Sequence, residues 1–318
     1  MSLVRFLAVR LSLLLVTLIL VSMIIFAAVH ILPGDVARMM LGPFADAQAV
    51  ATLNAKLGTD RPMFAQYGEW IYSALHGDFG LSLSMRSPVA PQVADAVRHS
   101  AGLAAIALLL VVPTGVGAGI VAGLNRGTWL DRAIILMGVS LSIVPDFVSA
   151  LIFIIVFALW LNWLPLSGPQ AGAGLWESVY HLILPALPLV LNLFGYIARL
   201  TRAGIIEAKE ADYTRTAVLK GLPCSSVLLH HILRNALIPT VAVLATQSGY
   251  LLGGLLVIEA LFNIPGLGNL ILSAAKARDV PLLEGGVLVM ATIFGICAAA
   301  GDLLQAFLDP RLRQRGAF

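Results

Sequence analysis

Charged side chains are scarce in this sequence. Aspartate, glutamate, lysine and arginine make up 12% of the 318 residues, about half of their share in a soluble domain. Hydrophobic residues make up 59%, which is more than one internal core can hold, so lipid must solvate many of them. The net charge of +3 is too small to indicate a nucleic-acid-binding protein. These proportions exclude an ordinary soluble domain and predict a membrane protein.

Cysteines and catalytic motifs are equally scarce. Cys224 and Cys297 lie far apart in the chain, so no disulfide framework is expected. No lysine is followed by serine or threonine, as a phosphate-binding loop requires. No histidine precedes a glutamate, and no serine lies between glycines in the pattern of a hydrolase. We therefore expect this chain to be neither an enzyme nor a metal-binding protein.

Long apolar stretches dominate what is present. A helix of about 20 apolar residues crosses the hydrocarbon core, and lipid leaves the backbone no other hydrogen-bonding partners. Six stretches meet this length, which predicts an all-α polytopic fold with six transmembrane helices: Leu11–Val29, Ala101–Leu124, Ala133–Trp160, Leu182–Ala198, Ala236–Ile258 and Gly285–Leu304. The first is too long for a signal-peptide core and lacks a cleavage site after it, so we interpret it as an uncleaved anchor.

The basic residues predict the orientation. Short outer segments carry only Lys276 and Arg278, whereas most other lysines and arginines fall on the side of the N-terminus. Since positive charge is retained inside, both termini are predicted to be cytoplasmic. The chain then divides into an N-terminal segment with the first helix (1–29), an outer segment (30–100) and a five-helix core (101–318), which contains a cytoplasmic loop at about 199–235.

Two spans contain unusual residues. Gly115, Gly119 and Gly123 recur every four residues, a spacing that lets helix backbones approach closely. Packing inside the bundle is the favoured interpretation, with a subunit interface as the alternative. Pro145 should kink or divide the third stretch. Asp146 follows it as the one charged residue near the middle of a span, and we consider two roles: lining a substrate pathway, or capping the half-helix that begins there.

The outer segment 30–100 is rich in turn signals, with short helices predicted at Ala47–Leu57 and Met63–Leu75. The sequence leaves two roles open for this segment: resting on the outer membrane face, or binding a partner.

The loop at 199–235 is basic and contains no lipid-grade apolar run. Ile205–Lys220 is rich in helix formers, Gly221 is suited to a left-handed stop, and Ser225 or Ser226 is placed to cap a second helix. Two helices joined at a glycine would make a rigid projection that transmits force to or from a cytoplasmic partner. An ordinary amphipathic surface helix is the alternative.

This loop carries a family resemblance. ADYTRTAVLKGLPCSSVLLHHILRNALIP (211–239) resembles the loop of bacterial ABC-importer permeases, Glu-Ala-Ala, three residues, Gly, nine residues, Ile-x-Leu-Pro. Gly221 and Leu233 match it, and Ala217 holds the third small position. Departures from the general form look like those of the dipeptide/oligopeptide/nickel permeases: Arg215, Thr216, His231 and Arg234. Further stretches resemble the same branch, at 32–35, 57–70, 76–83, 198–203, 259–271 and 308–313.

The resemblance implies the type I ABC-importer permease fold and a heteromeric importer in a bacterial inner membrane. A solute-binding protein would deliver the solute, a homologous second permease would complete the pathway, and two ATPase subunits would bind ATP and Mg. A coupling helix would dock on an ATPase, formed by Asp212, Tyr213, Arg215, Thr216, Ala217, Lys220 and Gly221. Dipeptides, oligopeptides, glutathione, opines and chelated nickel are all carried by similar permeases, so the solute is left open.

Two other functions compete with this hypothesis. An ion-coupled secondary transporter normally keeps several buried ionisable groups, and this chain has few. A membrane enzyme would need a catalytic constellation that the sequence does not contain.

Overall fold

The computed structural model describes residues 3–31, 41, 44–57, 61–169, 172 and 174–308. The stretches at 32–35 and 309–313 that carry part of the family resemblance lie outside these ranges. The described chain is helical, without a named β-strand: α1 Leu3–Ile31, α2 Ala47–Leu57, α3 Met63–Leu75, α4 Val89–Leu124, α5 Trp129–Ile143, α6 Asp146–Trp160, α7 Leu175–Glu210, α8 Asp212–Leu219, α9 Cys224–Ala236, α10 Ile238–Gly254, α11 Leu256–Leu261, α12 Leu267–Ala277 and α13 Val280–Leu308.

Four helices are individually long and apolar enough to cross a membrane, namely α1, α4, α7 and α13. Two further pairs qualify as broken spans: α5 and α6 meet at a bend of 100°, and α9 and α10 at 44°. The described chain therefore has four to six candidate spans, and the predicted all-α polytopic fold is confirmed. Pro145 stands at the sharper bend, where it divides the third predicted stretch into two half-helices.

Two helices extend beyond the stretches that hydropathy indicated. α4 begins at Val89, because Val93 and Ala96 on this otherwise polar part are buried against neighbouring helices. α7 has 36 residues, a length of about 54 Å against a hydrocarbon core of about 30 Å. It therefore projects well past one membrane surface. We call the end that carries α8 and α9 the hairpin end, and the other the opposite end.

α7 is the central helix. In its most apolar window 61% of the residues are buried within the chain, against 28% for α4, 17% for α1 and 6% for α13. The main hydrophobic cluster joins α7 to α4, α6, α10 and α11, with Leu103, Leu184, Ile197, Leu255 and Ile258 almost completely buried. The apolar surface of α1 is left mostly exposed, as a lipid-facing or subunit-facing helix requires, whereas most residues of α13 are partly covered by neighbouring helices.

A buried carboxylate holds part of the opposite end together. Glu259 of α11 accepts hydrogen bonds from the Ser100 hydroxyl (2.5 Å) and from the backbone N–H of Asn269 (3.0 Å). Since Asn269 lies in the first turn of α12, the carboxylate satisfies donors that the start of a helix leaves unpaired. The Ser100 hydroxyl in turn accepts from the N–H of Leu267 at 2.8 Å. One buried group thus joins α4, α11 and α12.

Candidate functional site

The loop between the fourth and fifth predicted spans folds as a two-helix hairpin, α8 and α9, at the end of α7. A single helix was expected over Ile205–Lys220, and this prediction is wrong. Ala211 is extended (φ −70°, ψ 148°) and separates α7 from α8. The Thr214 hydroxyl donates to the backbone oxygen of Ala208 at 2.7 Å, which fastens α8 beside the last turn of α7.

The joint between the two helices is formed as the sequence predicts. Gly221 is left-handed, at φ +74°, and ends α8. The N–H of Gly221 donates to Val218 (2.9 Å) and that of Leu222 donates back to Ala217 (3.4 Å), so the last carbonyls of the helix are satisfied. The predicted serine cap of α9 is absent, because Pro223 takes the N-cap position with extended backbone angles and the helix begins at Cys224.

Most of the residues that the resemblance assigns to docking are on the surface: Asp212, Tyr213, Arg215, Thr216, Lys220 and Gly221. Ala217 is not, because it is buried among Ile205, Ala208, Val227 and Ile232. It seats α8 against α7 and α9 and offers no surface to a partner. The structure thus gives α8 an inner face that holds it to the rest of the chain and an outer face that is free of the bundle.

The outer face of the hairpin is apolar as well as basic. Val218 is 59% exposed and Leu219 81% exposed at the tip, with Leu229 exposed on α9. Arg215, in the same short helix, and Lys220, at its C-cap, lie on either side of Val218 and Leu219 in the sequence. A contiguous apolar tip with charged residues at its edge is typical of a protein-binding surface.

A cleft of about 330 Å³ opens beside α8. It is lined by residues of α7 and α8 and by residues at the end of α4: Gly123, Arg126, Ile206, Lys209, Glu210 and Arg215. Arg126 forms an ion pair with Glu210 across the cleft, and both side chains are more than half exposed. The remaining positive charge of the cleft comes from Lys209 and Arg215.

A charge pair near the hairpin joins α5 to α7. Arg202 donates to both carboxylate oxygens of Asp131, at 2.5 and 2.8 Å, and the N–H of Gly127 adds a third hydrogen bond at 2.9 Å. The Asp131 side chain is 4% exposed and that of Arg202 29% exposed. Two parallel hydrogen bonds fix the angle between the groups as well as their distance, so the pair holds the start of α5 on α7.

Glycines bring the neighbouring helices into backbone contact. A Cβ built on Gly119 would lie 2.5 Å from the Thr201 Cβ, and one on Gly123 would lie 2.6 Å from the Ile205 Cβ. The glycine series on α4 therefore packs inside this chain against α7, as the favoured interpretation held. On α5, a Cβ on Gly138 would lie 2.8 Å from the Cα of Gly195 in α7.

Asp146 lies at the first position of α6, immediately after the bend. Its carboxylate accepts a hydrogen bond from the side-chain amide of Asn192 on α7 at 3.1 Å, and the residue is half-buried. Pro145 takes the N-cap position, with no side-chain cap, so the capping role considered for Asp146 is not the observed arrangement. The Ser142 hydroxyl donates to the backbone oxygen of the same Asn192 at 3.1 Å.

Sequence reasoning missed the Asp131–Arg202 pair and the Glu259 cluster. Thr128 followed by Asp131 marks the start of a helix, and Thr128 does accept from the N–H of Asp131. Nothing in the linear pattern shows that Arg202, 71 residues away, reaches this carboxylate. Within the described ranges, no group of three or more His, Cys, Asp or Glu side chains is placed to hold a metal ion.

The helices, the two broken spans and the exposed hairpin define a polytopic membrane protein. The chain matches the family "Binding-protein-dependent transport system inner membrane component" over residues 115–314, and the corresponding N-terminal family over residues 3–104. It belongs to this family. It is a permease subunit of a binding-protein-dependent importer, located in an inner membrane.

Named relatives cover nearly the whole chain. The glutathione transport system permease protein GsiC of Escherichia coli strain K12 is 38% identical over 299 residues, 94% of this chain and 95% of the relative. The proteins of the same name from Shigella dysenteriae serotype 1 and from Escherichia coli strain CFT073 show the same identity and coverage. These matches confirm the resemblance to ABC-importer permeases of the dipeptide/oligopeptide/nickel branch and exclude the ion-coupled carrier.

Proposed function

We propose that the outer face of α8 docks on an ATPase subunit and passes its movement to the membrane-spanning helices. The observation that carries this proposal is the division of α8 into two faces. Thr214 and Ala217 hold the inner face to α7, whereas Val218 and Leu219 present an apolar tip between basic residues. A partner that displaces the tip displaces α7 with it.

The path of this movement follows α7. The helix is continuous from Leu175 to Glu210, so a displacement at the hairpin end reaches Asn192 without an intervening hinge. Arg202 holds Asp131 near the hairpin, and the Gly195–Gly138 contact holds the middle of α5. α5 and α7 therefore move together, and the 100° bend after α5 is the point at which their motion acts on α6.

The energy for this motion would come from partners. In the proposed assembly two ATPase subunits bind ATP and Mg, a homologous second permease completes the pathway, and a solute-binding protein delivers the solute at the opposite end. The hairpin end and both termini would then face the cytoplasm, with segment 30–100 outside. The basic residues concentrated at the hairpin end support this orientation, because positively charged loops stay on the cytoplasmic side.

We propose a small peptide of the glutathione type as the solute, since the relatives named above are glutathione permeases. Asp146 would line the pathway and favour cationic parts of the solute. Its position at the bend, bonded to Asn192 and only half-buried, supports this role. Isolating the binding protein that works with this permease and measuring which solutes it captures would test the assignment.

The docking role is tested by Gly221→Val in the complete importer reconstituted into liposomes. No atom lies within 4 Å of a Cβ built on Gly221, so the substitution creates no clash. It does force a β-branched residue into the left-handed region at φ +74°, which costs about 1–2 kcal/mol and favours a different end for α8. We expect the amount of solute imported per ATP hydrolysed to fall several-fold.

Gly77→Val is the matched control. Gly77 has φ +80° and equally open surroundings, but it lies at the opposite end. It should leave the ratio of uptake to hydrolysis unchanged. Normal coupled uptake by Gly221→Val, or an equal loss in both variants, would refute docking through α8.

A further inference from the structure

The helix α3, Met63–Leu75, is amphipathic, with a polar side and an apolar side. At about 100° per residue, one side of the helix collects its polar residues Gln66, Glu69 and Ser73. The apolar side covers roughly half of the circumference and contains Phe64, Tyr67, Trp70, Ile71 and Leu75. This pattern is typical of a helix that lies at a boundary between water and an apolar phase.

Among the described residues, only one flank of the apolar side is in contact with another helix. The Tyr67 hydroxyl forms a hydrogen bond of 2.8 Å with the Ser22 hydroxyl of α1, and its ring lies 5.4 Å from that of Phe26. The Trp70 ring lies 5.8 Å from that of Phe26, tilted by 36°. The other flank is uncovered by the described chain, since Phe64 is 91% exposed and Leu75 is 79% exposed.

These contacts place α3 at a definite depth in the membrane. The apolar span of α1 ends at Val29, so Phe26 lies about 4–5 Å and Ser22 about 10 Å inside the end of the span. Tyr67 and Trp70 therefore reach into the membrane beside α1. The surface of α1 at this level is also apolar and is not covered by the described residues, with Met23 48% and Ile24 67% exposed.

We propose that α3 lies in the membrane interface at the opposite end, with Phe64 and Leu75 inserted among the lipid acyl chains and Glu69 facing water. The exposed flank of α3 continues the exposed apolar surface of α1 at the same level, and a soluble protein cannot reach this depth. The ion pair between Arg61 and Glu69 lies on the polar side, where water and headgroups solvate it. The aromatic anchors Tyr67 and Trp70 are residues that membrane interfaces favour.

Nitroxide accessibility tests this placement in the assembled importer in bilayers. Cys224 and Cys297, both free thiols, are first replaced by serine, and single cysteines are introduced as Phe64→Cys, Leu75→Cys and Glu69→Cys. Ile24→Cys on α1 provides the lipid reference. Molecular oxygen concentrates in lipid and a water-soluble nickel chelate stays outside, so their relative effects on spin relaxation report depth.

Labels at positions 64 and 75 should show an oxygen-to-nickel ratio close to that at position 24 and several-fold above that at position 69. Nickel accessibility at 64 and 75 equal to that at 69 would overturn the proposal, because the face would then be open to water or to a soluble partner. Protection from both reagents would overturn it as well, because another subunit would cover the face. Should Phe64→Cys fail to assemble, Leu75→Cys on the same flank decides the question.

Discussion

Arg202 of α7 and Asp131 of α5 form a two-point hydrogen bond in which the carboxylate is almost completely buried and the guanidinium is partly exposed. The pair lies on the part of α7 between the membrane-spanning core and the hairpin. It is the polar counterpart of the Gly138–Gly195 contact farther along the same two helices. Together these contacts make α5 and α7 one unit, on which the proposed transmission of movement depends.

Removing the buried charge of this pair should lower the free energy of unfolding. In Asp131→Asn the Arg202 guanidinium loses its counter-charge, and we expect a loss of about 3 kcal/mol, the lower part of the range for buried pairs, because Arg202 is partly solvated. Thermal unfolding of the purified protein measures the loss. Glu210→Gln breaks the exposed Arg126 pair and should cost less than about 1 kcal/mol. Equal losses in the two variants would contradict the structural role of Asp131.

Replacing either of two glycines on α4 by alanine should change the stability of the protein in opposite directions. Gly119→Ala places a methyl group 2.5 Å from the Thr201 Cβ and 2.6 Å from the Ala198 oxygen, so the helices must separate at a cost of about 1–3 kcal/mol. Gly117 has no atom within 4 Å of its Cβ position, and Gly117→Ala should stabilise the helix by up to about 1 kcal/mol. Unfolding midpoints of both variants measure the direction of each change in stability. A Gly119→Ala variant as stable as the unchanged protein would show that α4 and α7 are not in backbone contact.

Asp146→Asn tests the proposed pathway. If the carboxylate attracts cationic parts of the solute, the variant should need a several-fold higher concentration of cationic solutes for half-maximal uptake, with little change for neutral solutes. Asn192→Leu serves as the control, because it removes the hydrogen bond to Asp146 but keeps the charge. Competition-sensitive uptake that is the same in Asp146→Asn and the unchanged protein would exclude a role in the pathway. An equal effect of both substitutions would indicate a structural role.

Asp279, just before α13, should make stability depend on pH in the acid range. Burial by itself raises its pKa, but hydrogen bonds from Ser82 and Ser84, two of them at 2.6 Å, outweigh burial and bring the pKa below its ordinary value of 3.8. The folded state therefore binds the proton more weakly than the unfolded state. The resulting stabilisation is present above pH 3.8 and is lost as the pH falls through the folded pKa.

Comparison of unfolding midpoints between pH 7 and pH 3 isolates this contribution. Asp279→Asn should be less stable than the unchanged protein at pH 7, and the difference should begin to shrink below about pH 4, where the carboxyl group binds a proton in the unfolded state before it does so in the folded state. A difference that stays constant over the whole range would mean that the charge of Asp279 contributes nothing.

Much of the fold was predictable from the sequence because lipid acts on each segment separately. The long apolar stretches, the break at Pro145 and the stop at Gly221 depend on composition or on the backbone preference of one residue, and the structure contains all three. The lengths of α4 and α7 were underestimated because hydropathy shows only where the apolar, lipid-spanning part of a segment ends. It does not show where a helix ends when its polar turns pack on other parts of the chain.

The sequence by itself determined that the chain is a bundle of membrane helices with a polar hairpin at one end. Only the tertiary structure decided that α7 is central, that Ala217 faces inward, and that Asp131 receives the side chain of Arg202. These relationships depend on which helices cross and at what distance, and that distance is set by glycine faces such as Gly119 against Thr201. Local preferences act along the chain, whereas pairing between helices is selected by the packing of the whole bundle.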